Sequence, residues 1–247
     1  MGGVMSSIVP GVYVGGLTSA RSESELNHCQ ITHICSAFQY PLSLDPKRVH
    51  KQFIIQDSPE EDIAKYFVDA IDFIHGARVN HGTVLIHCAC GISRSVSLTM
   101  AYLLCITDFK LRDIYKGLRA ARLGACPNYG FLRQLQRFEE SSDYLKARQF
   151  LIAKYGPWSP EKLAADRAAM ETHIAAQEAF IQTGYYPWDE QPPSAPATGE
   201  KGASARFICR LRASNFHPSF PSLIYFDIYL AVADCRRLRH PIKTHTH

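Results

Sequence analysis

Val84-Leu85-Ile86-His87-Cys88-Ala89-Cys90-Gly91-Ile92-Ser93-Arg94-Ser95 is the stretch on which the reading of this chain turns. Three apolar residues, Val84 to Ile86, predict a buried strand of a parallel sheet. A polar loop follows, and then Val96 to Ile106, an apolar run that predicts a buried helix. A strand, a tight loop and a helix N-terminus together turn backbone N–H groups toward an anion. Cys88 stands at the mouth of this loop and Arg94 at its far end. The helix dipole and a fixed cation both favour a thiolate. The residues therefore describe a nucleophile at the floor of a phosphate-sized cup. Ala89, Cys90, Gly91, Ile92 and Ser93 line it, and the planar guanidinium of Arg94 can hold two phosphate oxygens. The alternative is a buried structural cysteine beside a surface arginine.

Working outward, the chain has 247 residues, 46% hydrophobic and 20% charged, which suits one sizeable core with additional material. Its net charge of +4 is mild, and the basic excess lies mainly in residues 205–247, so charge alone gives no reason to expect a nucleic-acid partner. The eight cysteines show no C-x-x-C pair or zinc-like spacing, and no secretory signal pattern opens the chain. This predicts free thiols in a reducing, cytoplasmic setting, with no metal and no cofactor. No apolar run reaches the ~20 residues that span a bilayer. Met1-Gly2-Gly3-Val4-Met5-Ser6 fits the N-myristoylation pattern, with Gly2 as the acceptor. One such chain gives reversible attachment only, so peripheral association with the cytoplasmic face of the plasma membrane is the expectation. A plain start to the chain is the alternative.

Two short strands are predicted around Pro10-Gly11, then a helix capped by Thr18 or Ser19 and running to about Asn27. Strands follow at Ile31–Ser36 and Val49–Gln56. Ser58 and Pro59 read as a cap and first helical position, opening a helix to about Arg78. Helices are further predicted at Leu111–Ala121, from about Tyr129 to Lys154, and from Pro160 to about Thr183. Strands alternating with helices give an α/β fold, with a mainly parallel central sheet flanked by helices on both faces. Residues 1–154 form the expected catalytic domain. Residues 155–186 form a helical extension, and 187–247 a Pro-rich flexible linker with a basic, poorly ordered tail.

Hydrolysis of a phosphate ester through a cysteine needs a group to protonate the leaving oxygen and then activate water. Asp57 suits this role, because it ends a strand on the sheet edge that should also carry the Cys88 loop. It could instead merely serve the helix N-terminus next to it. His87 can orient the loop and favour the thiolate, or be a satisfied buried histidine. Ser95 can hydrogen-bond the Cys88 sulfur, or be an ordinary first-turn serine. Asn128 can brace the cup or cap the following helix.

These residues together resemble the small atypical dual-specificity protein phosphatases of the cysteine-dependent superfamily, closest to their N-myristoylated subgroup. The matching motifs are Met1-Gly2, Pro10-Gly11-Val12-Tyr13, Asp57-Ser58-Pro59, His87-Cys88-x-x-Gly91-x-x-Arg94-Ser95, Thr107-Asp108-Phe109 and Pro127-Asn128-x-Gly130-Phe131-x-x-Gln134-Leu135. They span about residues 1–145. The resemblance implies the phosphatase fold, with catalytic roles for Cys88, Arg94 and Asp57. It further implies phosphotyrosine and phosphoserine/threonine proteins as substrates and partners. Cys90 departs from the subgroup, which usually has a small apolar residue there; it is either inert packing or a redox partner for Cys88.

Two other readings use the same residues. The cup could serve a phosphoinositide or an RNA 5′-phosphate, but such sites favour basic residues within the loop, and Ala89, Cys90, Ile92 and Ser93 are neutral. A non-enzymatic phosphoprotein binder would be expected to lack Cys88, Arg94 or Asp57, and all are present. Substrate identity and oligomeric state are not legible.

Overall fold

The computed structural model describes residues 4–43 and 45–189. The expectations for Gly2 and for the tail from 190 onward lie outside these residues.

Strands β1 (Ser6–Val9) and β2 (Val12–Gly15) form an antiparallel hairpin. Its Pro10-Gly11 turn places Gly11 at φ +77°, a conformation that glycine adopts without steric cost. Strands β3 (His33–Phe38), β4 (Val49–Ile54) and β5 (Val84–His87) complete a five-stranded sheet in the order β1-β2-β5-β3-β4. Every pair except β1–β2 is parallel. β5 lies at the centre with all four residues buried, which is why it reads as an unbroken apolar run. β4 is an edge strand, and its exposed Val49, His50 and Lys51 follow from that position.

Helices cover the sheet as the sequence predicts. Leu85 of β5 and Ile34 of β3 join Met5, Ala20, Leu26 and Ile31 in a cluster with α1 (Leu17–Arg21) and α2 (Glu23–His28). Val84 and Ile86 alternate to the other face, where α3 (Phe67–Val79) and α4 (Arg94–Ile106) pack. Helix α4 is buried at every position, because α3, α5 (Leu111–Ala121), α6 (Tyr129–Glu140) and α7 (Asp143–Tyr155) surround it. That explains an apolar composition on all its sides.

Three helix predictions are corrected. The segment after β2 is two helices, because Ser22 interrupts it and accepts a hydrogen bond from the Glu25 N–H at 3.3 Å as the N-cap of α2. Ser19, one of the predicted caps, is instead buried within α1. Ser58-Pro59 does not begin a helix. Residues 57–63 form an irregular loop, a 3₁₀ turn follows at Ala64–Tyr66, and α3 starts only at Phe67. Helix α6 imposes this shape. Gln134 accepts from Ala64 N–H at 3.0 Å and donates to the Glu61 carbonyl at 2.8 Å. The Pro59 carbonyl lies so close to Gly130 that a Cβ there would sit 1.9 Å from it. Finally, the long helix from Tyr129 breaks after Glu140, and Ser142 turns the chain at φ +60°.

Helix α8 (Pro160–Thr183) follows a Gly156-Pro157 break. Asp166 on it is fully buried and meets Arg78 of α3 through two hydrogen bonds, at 2.6 and 3.1 Å. The compact unit that holds the sheet runs through Ala175 and includes this pair. In the second unit Tyr186 stacks on Phe180 and Trp188 and donates to Gln177 at 3.0 Å. Among the described residues no helix is long and apolar enough to cross a membrane.

Candidate active site

The loop from Cys88 to Ser93 leaves the carboxyl end of β5 and enters α4 at Arg94, with Gly91 at φ +70°. Glycine is required there, because a Cβ would lie 2.4 Å from Arg122 and 2.5 Å from the Gly15 carbonyl. The loop carbonyls are held from outside the cup. That of Ala89 accepts from Leu17 N–H at 3.0 Å, and that of Ile92 accepts from Cys126 N–H at 2.8 Å. Arg122 donates to the other two, to Cys90 at 3.0 Å and Gly91 at 2.5 Å.

Cys88 is buried, and its sulfur accepts hydrogen bonds from Gly91 N–H at 3.2 Å and from the Ser95 hydroxyl at 3.3 Å. Burial pushes this thiol up. The hydrogen bonds from Ser95, the charge of Arg94 and the Ile92 N–H outweigh that effect, so Cys88 lies below the ordinary thiol value. The structure thus brings Ser95 to the sulfur. Cys90, two residues on, is exposed, and none of the six cysteines among the described residues forms a disulfide.

His87 is fully buried, with Nε2 at 2.7 Å from the Ser36 hydroxyl and Nδ1 at 3.2 Å from the Cys88 carbonyl. A carbonyl only accepts, so Nδ1 carries the proton and Nε2 accepts from Ser36. Burial lowers this histidine to about 4, leaving it neutral at physiological pH. It fixes the first peptide of the loop and supplies no cation to the thiolate.

Arg94 is 3% exposed. Its Nη1 donates to the Ile55 carbonyl at 3.2 Å and reaches Gln39 Oε1 at 3.5 Å, and its guanidinium lies over the Phe38 ring. Its Nε is buried and has no hydrogen-bond partner. An unpaired buried donor on a fixed cation is costly unless an anion completes it. Asp57 Oδ2 lies 3.8 Å from that Nε, near enough for attraction and too far for a hydrogen bond.

Two contacts aim Asp57, which stands on the loop after β4. Its Oδ1 accepts from the Ser93 hydroxyl at 2.7 Å and from Asn128 Nδ2 at 3.0 Å. Asn128 makes two side-chain contacts. Its Oδ1 caps α6 by accepting from Phe131 N–H at 3.0 Å, while its amide nitrogen braces Asp57. Ser93 also accepts from Asn128 N–H at 3.0 Å, which locks the three residues together. The Ser93 hydroxyl thus holds Asp57. Ser36, Gln39 and Arg122 were not singled out from the sequence. Each acts through contacts tens of residues away, which local pattern does not reveal. Pro127-Asn128 marked the loop that begins at Arg122 but not the arginine itself.

Comparison with known proteins places the chain in a family. Residues 12–141 match the dual specificity phosphatase catalytic domain. Dual specificity protein phosphatase 22 of Mus musculus is 37% identical over 156 residues, covering 63% of this chain and 84% of the relative. Dual specificity protein phosphatase 15 of Mus musculus is 34% identical over 156 residues, covering 63% of this chain and 66% of the relative. The crystal structure of DUSP15 superposes with a TM-score of 0.60 at 35% identity, covering 62% of this chain and 98% of that one.

Proposed function

This chain belongs to the dual specificity phosphatase family and is a protein phosphatase, and on that premise we propose that it works through a phosphocysteine on Cys88. The substrate's phosphoryl group enters the cup, where the loop N–H groups and the open Nε of Arg94 take its oxygens. The Cys88 thiolate attacks phosphorus and the ester P–O bond breaks. Asp57 gives its proton to the departing oxygen. In the second step the Asp57 carboxylate takes a proton from the attacking water. The S–P bond breaks, and Ser95 hydrogen-bonds the thiolate as it leaves. Phosphotyrosine and phosphoserine/threonine proteins are the substrates. Reversible attachment to the cytoplasmic face of the plasma membrane, through a myristoyl group on Gly2, belongs to the same reading. It is supported by the Met1-Gly2 to Ser6 pattern, and mass spectrometry of the chain from its native cells tests it.

One observation carries the catalytic reading: the Arg94 Nε is buried without a hydrogen-bond partner at the end of a loop whose Cys88 sulfur already receives two hydrogen bonds. The experiment is Cys88→Ser. The variant loses turnover of phosphopeptides yet still binds vanadate, because the amides and Arg94 are retained. Appreciable turnover by the purified variant would overturn the assignment of the nucleophile.

A further inference from the structure

We propose that Arg122 is a positioning residue of the phosphate cup, and that it ties the orientation of the cup's amides to the N-terminal segment Val4–Ser6. The inference rests on the reading of the Cys88 loop as an oxyanion cup and adds to it a residue outside the loop.

A trans peptide is planar, and its C=O and N–H point in opposite directions. Fixing one carbonyl outward therefore fixes the next residue's N–H inward. The carbonyls of residues 89 to 92 are all held from outside, so the amides of residues 90 to 93 face the cup. Arg122 holds the middle two, Cys90 and Gly91. The amides that follow are those of Gly91 and Ile92. The first donates to the Cys88 sulfur at 3.2 Å, and the second is among the groups that favour its thiolate. Leu17 N–H and Cys126 N–H hold the outer two carbonyls by backbone contacts alone. The side chain of Arg122 thus sets the central part of the loop.

The same guanidinium reaches across the hairpin. Its Nη1 donates to the Val14 carbonyl at 3.2 Å, to the Val4 carbonyl at 3.3 Å and to the Ser6 hydroxyl at 3.4 Å. It is 7% exposed, and all three of its nitrogens are engaged. The N-terminal segment is pinned beside it. Met5 N–H donates to Glu25, and the Met5 side chain is buried in the α1–α2 cluster. A lysine has one nitrogen and no fork, so it cannot span acceptors on the loop, on β2 and on the N-terminal segment at once. A shift of residues 4–6 is accordingly transmitted to the cup through one rigid planar group.

The test uses Arg122→Met and Arg122→Lys in the full chain. Inhibition by orthovanadate, kcat and KM for an aryl phosphate, and the melting temperature are measured together. Both variants are expected to fold and to lose tenfold or more in vanadate affinity. KM should rise more than kcat falls, and Lys should rescue only part of the loss. A role in stability alone would lower the melting temperature while leaving the vanadate affinity of the folded protein unchanged. Affinity within twofold of wild type in either folded variant overturns the proposal. Failure of both variants to fold also overturns it, since Arg122 would then serve the fold as a whole. A wild-type chain that ignores vanadate would overturn the reading of the cup itself, and this inference with it.

Discussion

Asp57 and Cys88 are placed by different parts of the chain, and three consecutive residues at the start of α4 join them. Ser93 holds Asp57, Ser95 holds the Cys88 sulfur, and Arg94 lies between the two serines. If Asp57 supplies the proton, its loss should matter most where the leaving oxygen is most basic. Asp57→Asn keeps an acceptor for Ser93 and removes the transferable proton. Turnover of phosphotyrosine and phosphoserine peptides should fall by ~10²-fold or more, the scale of general acid catalysis. An ester of an acidic phenol should lose clearly less. Equal losses on both substrates would leave Asp57 with a shaping role only. Cys88, Arg94 and Asp57 stand out in the sequence because their types and spacing suggest a reaction, and the structure brings Arg94 to 3.8 Å from Asp57. The holders do not, because serine and asparagine occur in any loop and only tertiary contact shows which one faces Asp57. A second residue-scale prediction concerns pH. Burial lowers His75 and His87 each to about 4, against 6.5 for a free histidine. Above 6.5 the imidazoles are neutral in folded and unfolded chains alike, and this stabilisation is fully present. Between 6.5 and about 4 the unfolded chain takes up protons that the folded one does not. Stability should fall there by about 1.4 kcal/mol per pH unit for each histidine. Melting temperatures from pH 8 to 4.5 check this, and a flat profile below 6.5 would contradict it.

Among the elements, the strands and the buried helix α4 were the most legible, since an apolar run bounded by turn residues has few other readings. The errors fell where a neighbouring element overrides local preference. Ser58-Pro59-Glu60 carries strong helix-start chemistry, yet Gln134 and Gly130 of α6 hold that segment as a loop. The result positions Asp57, so the local rule fails beside the chemistry. The break between α6 and α7 has a different cause. Ser141 and Ser142 are weak interruptions in an otherwise helical stretch, and nothing in the pattern requires Ser142 to take φ +60°. A left-handed conformation is unfavourable for a residue with a Cβ and neutral for glycine. Ser142→Gly should therefore stabilise the chain by about 0.5–1 kcal/mol. Urea unfolding of the two proteins measures the difference, and a loss of stability would mean that the serine side chain has a role in the turn.

Across the whole molecule, the two ends of the parallel strands have different work. The carboxyl ends carry the Cys88 and Asp57 loops. Beside the amino ends, where the Gly11 carbonyl accepts from Val84 N–H at 2.9 Å, Arg78 of α3 meets Asp166 of α8. Arg78 donates there to the Pro10 carbonyl at 2.7 Å, to Tyr102 at 2.9 Å and to Asp166. Trp158 covers the group, with its ring 4.7 Å from the Arg78 guanidinium and its N–H on Asp166 at 3.0 Å. Both members of the ion pair are buried. Removing one member of such a pair strands the other charge, at about 3–5 kcal/mol. Asp166→Ala should therefore destabilise the chain by that amount, although it touches no residue of the cup. The double variant Arg78→Met, Asp166→Leu removes both charges together and should recover part of the loss, leaving the Pro10 carbonyl without its donor. Because the pair lies at the opposite end of the sheet from Cys88, kcat measured well below the melting temperature should change by less than about twofold. Thermal melts and kinetics on the three proteins separate the two effects. A large fall in kcat with an unchanged melting temperature would show that α8 acts on the cup, and that the division between the ends of the sheet is wrong.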